Sequence, residues 1–264
     1  MAGLLLSFNS LDAADLPNFV WLTSEDNSVH FSRIYSEAGI SMPAIEGLAE
    51  HGLIFEHAFS NAPVCSVART TLLAGAYAPR IGAQYHRRSK LVPMPDNGRM
   101  YPWYLQQAGY YTSNNSKTDY NVVTHGGWDD SSPNAIWRNR QAGQPFLHVQ
   151  NTALTHESSL HFSREEMEMT ANKTTSESVT LFPYFPDTPT FRYTHARYLD
   201  NHLRVDNYFA DYIAMLEEDG VLDDTFIFYF GDHGGVLPRG KGYAYENGLH
   251  VPLVIYVPKN WKHL

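Results

Sequence analysis

Short apolar runs that lead directly into polar clusters are the feature that most constrains the fold of this chain. Residues 18–23 lead into the cluster 24–27, which contains two carboxylates, and residues 225–230 lead into the cluster 231–235. Apolar runs of this length, bounded by turn residues, are typical of strands buried within a sheet. Open α/β sheets place their ligands at the carboxyl ends of such strands. The sequence therefore predicts a sheet that presents polar side chains at the ends of its strands.

Helical patterns alternate with these apolar runs. The clearest is the segment 198–218, where large apolar residues recur at helical spacing and so predict an amphipathic helix. Alternating strands and helices favour a layered α/β fold. The polar, proline-punctuated stretch 158–190 is expected to run over the surface, where it could shape a substrate cleft. Further helices are predicted over 41–51 and 101–108, and further strands over 53–59, 110–113, 146–149 and 253–257.

The composition favours one large globular domain. The 264 residues are 43% hydrophobic and 14% aromatic, which is enough to bury a sizeable core. The net charge of −9 argues against a general nucleic-acid binder, because such proteins present a basic face to the phosphates. No stretch approaches the roughly 20 consecutive apolar residues that a membrane span requires. We therefore expect neither nucleic acid as a partner nor a membrane span.

The first 16 residues combine a short apolar run with small residues that follow it. A secretory signal ends in this way, and an ordinary N-terminal arm looks alike, so residues 1–16 are either a signal remnant or an arm. On this basis we expect a periplasmic or secreted protein. The single cysteine, Cys65, excludes an intramolecular disulfide, so pairing gives no information about the redox compartment.

Cys65 stands just before an apolar helical run, and Arg69 follows four positions later. At that spacing the two side chains can face the same side of a helix. A helix N-terminus offers free N–H groups and a positive dipole, which suits a nucleophile that handles an anion. The alternative is a buried, inert cysteine, which lone cysteines usually are.

The segment 65–75, Cys-Ser-Val-Ala-Arg-Thr-Thr-Leu-Leu-Ala-Gly, resembles the signature of the type I sulfatases, the formylglycine-dependent family of the alkaline phosphatase superfamily. That signature reads Cys-x-Pro/Ala-x-Arg, and this chain has a valine at the Pro/Ala position. Glu25-Asp26 resembles the paired acidic residues after the first strand of the family, which are usually Asp-Asp. Asp232-His233 resembles the later Asp-Asn or Asp-His pair. Three matches in the expected order are much more specific than any one of them.

The resemblance implies an alkaline-phosphatase-like, three-layer α/β/α fold with a large mixed, mostly parallel central sheet. Residues 17–264 would form the catalytic domain, incomplete because full sulfatases continue into a smaller C-terminal domain. The resemblance also implies a formylglycine, which a maturation enzyme forms from Cys65. A calcium ion is expected because hard oxygen ligands suit Ca²⁺ better than zinc. The expected metal ligands are Glu25, Asp26, Asp232 and His233.

Three further side chains complete the expected site by resemblance. Lys117 is similar to the lysine of the family's Gly-Lys segment, His156 to its histidine after the Pro-Phe strand, and Lys241 to the lysine that holds the sulfate. The family usually carries a histidine two positions after the first lysine, where this chain has Asp119, and His125 is the nearest candidate for that role. The expected catalytic residues are therefore Cys65, Arg69, Lys117, His156 and Lys241, and the expected substrate-binding residues are Lys117, His125, His156 and Lys241.

The resemblance implies hydrolysis of sulfate esters, with a sulfated carbohydrate as the expected substrate. The basic cluster 86–90, which reads His-Arg-Arg-Ser-Lys, is either a solvated surface turn or a contact for such an anionic substrate. Two alternative functions stay open. One is a phosphate or phosphonate ester hydrolase of the same superfamily, and the other is an inactive fragment that only binds sulfated glycans.

Overall fold

The computed structural model of the chain, which describes residues 16–87, 89–115 and 117–264, contains a seven-stranded sheet. Its strands are β1 (Asn18–Ser24), β2 (Gly52–Ile54), β3 (Tyr111–Asn114), β4 (Asp130–Ser131), β5 (Phe146–Thr152), β6 (Thr225–Gly231) and β7 (Leu253–Tyr256). In spatial order they are β2-β7-β6-β1-β5-β3-β4. β7 runs antiparallel to both of its neighbours, and the other neighbouring pairs are parallel. The predicted mixed, mostly parallel sheet is confirmed.

The described residues form α-helices on both sides of this sheet. They are α1 (Pro43–Glu50), α2 (Cys65–Ala74), α3 (Tyr101–Gln107), α4 (Arg164–Met169), α5 (Pro189–Glu218) and α6 (Glu246–Leu249). α1, α3 and α5 have proline in the first turn, where the missing N–H would have no helical partner. Gly75, with a φ of 61°, ends α2 in the left-handed conformation. The helices predicted over 41–51 and 101–108 are confirmed to within two residues at each end.

Alternate residues of β1 point to opposite faces of the sheet and so separate two helical layers. Val20 and Leu22 are buried in the largest core cluster, together with side chains of α1, α5, β6 and β7. Trp21 lies on the opposite face, where it packs with residues of α2 and α3. The two-residue period of the strand thus produces the expected three-layer α/β/α arrangement.

The prediction that the stretch 158–190 is only a surface excursion was wrong. Val179 and Phe185 are buried in a second core cluster, in which Phe31 and Tyr198 also lie. The stretch also contains α4. Single apolar residues within a polar, proline-punctuated sequence carry no periodic signal, although each can fill a gap between larger elements.

α5 ends at Glu218 as predicted, but it begins at Pro189 rather than at residue 198. Thr188 caps the helix by accepting a hydrogen bond from the backbone N–H of Phe191, which satisfies one of the free donors of the first turn. The apolar stripe is weaker in these first turns. Periodicity alone therefore placed the start of the helix too late.

β2 covers only Gly52–Ile54, whereas the sequence predicts a strand over 53–59. It is an edge strand, paired with β7 on one side. Leu53 and Ile54 are 54% and 47% exposed, so the apolar run here does not report a buried strand. Beyond it, Phe59 forms an isolated bridge with His250.

Several predicted features fall on residues that the structure does not describe. Residues 1–15, which make up nearly all of the expected signal remnant or arm, are among them, as are Arg88 of the basic cluster and Ser116 before Lys117. Within the described part of the chain, no helix is both long and apolar enough to cross a membrane.

A buried histidine in the middle of β5 makes the sheet sensitive to acid. His148 Nδ1 lies 2.8 Å from Ser113 Oγ, and its Nε2 lies 2.9 Å from Gln150 Oε1. The ring packs edge-on against Trp137. Burial lowers the pKa of His148 to about 4, and the hydrogen bond with Gln150 opposes this shift only in part. The imidazole is therefore neutral at pH 7 in the folded protein.

We predict that His148→Gln reduces the loss of stability between pH 7 and pH 5. The pKa of a histidine is 6.5 in the unfolded chain and about 4 for folded His148, so the unfolded state binds more protons over this interval and acid favours unfolding. For this one group the linkage amounts to about 2 kcal/mol. Urea unfolding at both pH values measures it, with the exposed His161→Gln as control. The same pH dependence in the wild type and His148→Gln would contradict the prediction.

Candidate active site

The carboxyl ends of β1 and β6 lie side by side and bring the two predicted acidic clusters together. The backbone N–H of Asp26 donates to Asp232 Oδ1 at 3.0 Å. Next to it, the N–H of Asn27 donates to the carbonyl oxygen of His233 at 2.9 Å. A Cβ at Gly231 would collide with the carbonyl oxygen of Asn27, so this close approach of the two chains needs glycine.

Cys65 is the first residue of α2, and its side chain is fully buried. Its Sγ lies 3.2 Å from His233 Nε2 and 3.7 Å from Asp26 Oδ1. Cys65 thus lies at a helix N-terminus, as predicted, and its sulfur contacts both the cluster 24–27 and the cluster 231–235. Burial raises the pKa of the Cys65 thiol, and the hydrogen bond with His233 offsets this only in part. The unmodified thiol is therefore protonated and a poor nucleophile.

Asp26 keeps its charge in the interior because two cations hold it. His233 Nε2 lies 2.9 Å from Asp26 Oδ1, and Lys241 Nζ lies 2.9 Å from Oδ2. Burial alone would raise the pKa of Asp26, but His233 and Lys241 outweigh it and hold the pKa well below its usual value. Burial would likewise lower the pKa of His233, yet the charges of Asp232 and Asp26 raise it well above its usual value. The His233 ring is therefore an imidazolium in this arrangement.

Asp232 has one carboxylate oxygen without a partner. Its Oδ1 accepts hydrogen bonds from the backbone N–H groups of Asp26 and His233. Its Oδ2 is shielded from solvent and has no hydrogen-bond partner among the described residues. Burial raises the pKa of Asp232, and the charge of His233 opposes this shift. A buried carboxylate oxygen without a donor is uncommon, and it marks a position that a cation can fill.

Lys241 connects the acidic clusters to the next part of the site. Besides Asp26, its Nζ contacts Glu157 Oε2 at 2.9 Å and His156 Nε2 at 3.3 Å. Burial disfavours the charge of Lys241, but Asp26 and Glu157 more than compensate and raise its pKa above the usual value. Lys241 is therefore a permanent cation in the neutral pH range.

Glu25 is buried, and both of its carboxylate oxygens have partners. Lys117 Nζ lies 3.0 Å from Oε2, and the side-chain amide of Asn151 donates to Oε1 at 2.6 Å. Thr155 Oγ1 donates to the backbone carbonyl of Glu25, also at 2.6 Å. The charge of Glu25 is thus balanced within the protein.

Arg69 is buried, and its guanidinium braces the loop that carries Lys117. Nη1 donates to Asn151 Oδ1 at 2.9 Å. Nη2 donates to the backbone carbonyl of Lys117 at 3.1 Å, and Nε donates to that of Thr118 at 3.2 Å. Arg69 therefore orients both residues that contact the Glu25 carboxylate.

An open cavity of about 480 Å³ is lined by side chains of the site, some of which are positively charged. Its lining includes Glu25, Lys117, His156 and Arg87. Arg87 belongs to the basic cluster 86–90 and forms a 3.2 Å ion pair with Asp119. The position of Arg87 favours the substrate-contact interpretation of that cluster over a solvated turn.

His125, a predicted substrate-binding residue, does not line the cavity that Lys117 and His156 line. Its side chain is exposed, and its backbone has a φ of 48°. Its substrate role stays a prediction that the geometry does not support.

Sequence reasoning missed two residues that complete the site. Glu157 pairs with Lys241, and Asn151 bridges Arg69 and Glu25. Glu157 directly follows a predicted site residue, and Asn151 lies in the polar end of β5, which pairs with the end of β1. The predicted strand ended at residue 149. If it had extended to residue 152, as β5 does, Asn151 would have been recognised as a polar residue at a strand end.

Two groups of side chains around Cys65 could hold a metal ion. One consists of Asp26, Cys65 and His233, and the other of Glu25, Cys65 and His156. In each group the ligand atoms lie within 4.8 Å of one another. Since Cys65 belongs to both, a metal held by either group would lie next to position 65.

Comparison with known proteins identifies a family and several relatives. A family model described as "Sulfatase" matches residues 17–145 and 113–263. The chain is 33% identical to an ulvan-active sulfatase of Formosa agariphila, over 94% of this chain and 48% of that protein. It is 22% identical to the human N-acetylgalactosamine-6-sulfatase, over 92% of this chain and 57% of that protein. The chain spans about half the length of these curated relatives.

A solved structure shares the fold at low sequence identity. The phosphonate monoester hydrolase of Agrobacterium radiobacter superposes with a TM-score of 0.72 at 16% identity, over 92% of this chain and 68% of that one. At this identity the likeness concerns the fold alone. It agrees with the alkaline-phosphatase-like fold that the sequence predicts.

We predict that Arg69→Lys loosens the loop that carries Lys117. Lysine keeps the charge but cannot donate to three acceptors in the plane of a guanidinium. Hydrogen–deuterium exchange should increase in the segment 115–120, and the stability should fall by about 1–3 kcal/mol, because buried acceptors lose their donors. Arg80→Lys, at an exposed position, is the control. Unchanged exchange in 115–120 would show that Arg69 does not brace the loop.

Proposed function

The chain belongs to the sulfatase family, and we propose that it hydrolyses sulfate esters of carbohydrates by means of a formylglycine at position 65 and a bound calcium ion. The observation that carries this proposal is the position of Cys65 at the N-terminus of α2, with Sγ 3.2 Å from His233 Nε2 and 3.7 Å from Asp26 Oδ1. A nucleophile there meets an anionic substrate at the positive end of a helix dipole. It also lies beside groups that can bind a cation.

Position 65 would carry the nucleophile. Formylglycine, as its aldehyde hydrate, supplies an oxygen nucleophile together with a second hydroxyl that allows sulfate to be released again. The unmodified thiol lacks this chemistry, and burial raises its pKa so that it stays protonated. The proposal therefore requires a formylglycine-generating maturation enzyme as a partner. That enzyme must accept Val67, which stands at the Pro/Ala position of the signature.

The carboxylates of the site fit a calcium ion. Asp26, Asp232 and Glu25 offer hard oxygens, which calcium prefers, and His233 lies beside them. The buried Oδ2 of Asp232, without a partner among the described residues, is the observation that favours a cation. A bound divalent ion would polarise a sulfate oxygen and provide a positive partner for Asp232 Oδ2.

The cations of the site suit a sulfate group. Lys117 and Arg87 line the open cavity, and Lys241 contacts His156 at its border. Positive groups that are already in place stabilise developing negative charge without reorganisation at the moment of reaction. Neutralisation of the sulfate oxygens is therefore the role of Lys117 and Lys241 in this proposal, with Arg87 as an additional contact.

His156 is better suited than Lys241 to protonate the leaving oxygen. Burial disfavours the charge of Lys241, but Asp26 and Glu157 outweigh it and raise the pKa of Lys241. Lys241 therefore does not give up its proton easily. Histidine is the side chain that most often serves as a general acid in enzymes. His156 Nδ1 lies 2.9 Å from Ser158 Oγ, and this contact orients the ring so that Nε2 lies beside Lys241.

Carbohydrate sulfates are the substrate class that the relatives favour. The two curated relatives are named for activity on ulvan and on N-acetylgalactosamine 6-sulfate. The open side of the cation-lined cavity leaves room for a larger molecule around the sulfate group. The sequence of residues 1–16 supports an exported protein, periplasmic or secreted, which would meet polysaccharides outside the cytoplasm.

Hydrolysis of phosphate or phosphonate esters is the second candidate, because a phosphonate monoester hydrolase shares the fold. Lys117 and Arg87 are already paired with Glu25 and Asp119, so the net positive charge of the cavity is small. A phosphate monoester carries nearly two negative charges at pH 7, whereas a sulfate ester carries one. The charge balance therefore disfavours a phosphate monoester, and a phosphonate monoester, which carries one negative charge like a sulfate ester, remains the alternative that the aryl ester comparison below has to separate.

We predict that the chain, when produced together with a formylglycine-generating enzyme, carries an aldehyde at position 65 and releases sulfate from ulvan fragments. Cys65→Ala should reduce turnover on the order of 10³–10⁶-fold, as the loss of a nucleophile does. Peptide mass spectrometry detects the aldehyde, and ion chromatography measures the free sulfate. Equal turnover by Cys65→Ala would contradict the proposal, and so would faster hydrolysis of an aryl phosphate or an aryl phosphonate monoester than of an aryl sulfate by the matured chain.

Calcium should raise the Tm of the chelator-treated protein, and Asp232→Asn should abolish this effect. A ligand that binds only the folded state stabilises it by about 2.7 kcal/mol at 100 times its Kd. Asparagine keeps the shape of the side chain but removes the charge from the unpartnered oxygen. Scanning calorimetry with calcium chloride measures the shift, and the exposed Asp211→Asn is the control. An undiminished rise in Tm in Asp232→Asn would rule out Asp232 as a ligand.

A further inference from the structure

A second cavity, of about 320 Å³, is lined by aromatic, basic, amide and acidic side chains. Its walls come from three parts of the chain. They are His30, which closely follows β1, the pair Phe182 and Tyr184 from the stretch 158–190, and Arg239 together with residues 245–247. None of the site residues described above lines this cavity.

Arg239 is held in a defined orientation at this cavity. Its guanidinium carbon lies 4.8 Å from the ring centroid of Tyr184 and 4.9 Å from that of Tyr245. Cation–π contacts with two rings hold the guanidinium in place and leave N–H groups at its edge for a ligand. Among the described residues, no carboxylate forms an ion pair with it. The backbone φ of 66° is costly for a residue other than glycine.

Asn247 provides a second, independent indication of a ligand. Its side chain is buried, with a residue exposure of 2%, and it forms part of the cavity wall. Its Oδ1 accepts a hydrogen bond from Ser28 Oγ at 2.9 Å. Its Nδ2 is buried without a hydrogen-bond partner in the described part of the chain. An unsatisfied buried donor costs free energy, and an acceptor on a bound ligand would remove that cost.

The cavity and the active site share one loop. Arg239 and Lys241 are separated by a single residue, so their Cα atoms are at most about 7 Å apart. Lys241 nevertheless reaches inward to Asp26, whereas Arg239 contacts the tyrosines of the cavity. The loop between them is closed tightly, because a Cβ at Gly240 would collide with the carbonyl oxygen of Gly235. A ligand bound to Arg239 and a substrate held by Lys241 would therefore both contact side chains of this one short loop.

The remaining walls suit a sugar ring that carries a negative charge. Glu246 also lines the cavity; its Oε1 lies 2.7 Å from His250 Nδ1, and among the described residues it forms no ion pair with Arg239. Phe182 and Tyr184, with ring centroids 5.6 Å apart, offer an apolar surface to the C–H face of a sugar.

We propose that this cavity is a subsite for a second anionic sugar of the substrate, with its oxyanion on Arg239 and an oxygen of the same sugar on Asn247 Nδ2. This inference rests on the proposed function, because it takes a sulfated polysaccharide as the substrate. A guanidinium binds a carboxylate or a sulfate through two parallel hydrogen bonds, so the two sources share one chemistry. The enzyme then selects sulfate esters whose neighbouring sugar is also charged.

The test measures binding in the Cys65→Ala background, so that it does not depend on catalysis. Isothermal titration calorimetry is carried out with a short ulvan oligosaccharide, with the same oligosaccharide after reduction of its carboxyl groups, and with a desulfated sample. Arg239→Asn removes the guanidinium, and asparagine tolerates a positive φ. We expect it to weaken binding of the intact oligosaccharide about tenfold or more, as the loss of a charge-assisted contact does. Arg239→Lys should give a smaller loss.

The two modified oligosaccharides identify the bound group. If it is a carboxylate, the effect of Arg239→Asn disappears with the reduced sample, and if it is a sulfate, the effect disappears with the desulfated one. Arg164→Asn, at an exposed arginine of α4, is the control, and circular dichroism melting checks that each variant is folded. Failure of the background protein to bind the intact oligosaccharide would overturn the subsite, and so would an absent or equal effect of Arg239→Asn on all three probes. A matured chain that releases no sulfate would overturn the proposed function without changing these binding results.

Discussion

Buried carboxylates at the ends of β1 and β6 are the constraint on which the rest of the site depends. Charges removed from water are tolerated only when they are paired and hydrogen-bonded. Asp26 meets this condition through His233 and Lys241, and Glu25 meets it through Lys117. These partners come from separate parts of the chain, so no single segment can carry its charges alone. The charged site therefore exists only once the sheet has brought these segments together.

Much of the framework could be predicted from the sequence, because the period of apolar residues reports burial directly. The strands around β1 and β6 and the end of α5 followed from that period. The meeting of Asp26 with Asp232 followed from the rule that neighbouring parallel strands end at the same edge of a sheet. The place of Cys65 at a helix N-terminus was equally readable, since the helical pattern starts there.

The rest depends on contacts between residues that are distant in sequence. Nothing in the local pattern around Glu157 indicates a partner at Lys241. Val179 and Phe185 are buried because they pack against α5, and the sequence around them does not predict this contact. β2 is short because an edge strand gains hydrogen bonds from one side only, and its apolar residues remain in contact with water. Such features are properties of the assembled molecule, not of any window of sequence.

The complete burial of Cys65 decides when its sulfur can be altered. In the native protein the residue is wound into the first turn of a helix, and the segment before it is fastened where the N–H of Gly242 donates to the carbonyl of Pro63. A protein catalyst needs its target peptide extended and accessible, which the nascent chain offers and the docked helix does not. Under the proposed function, conversion of Cys65 therefore has to precede the docking of α2, because the folded protein shields the sulfur from a protein catalyst.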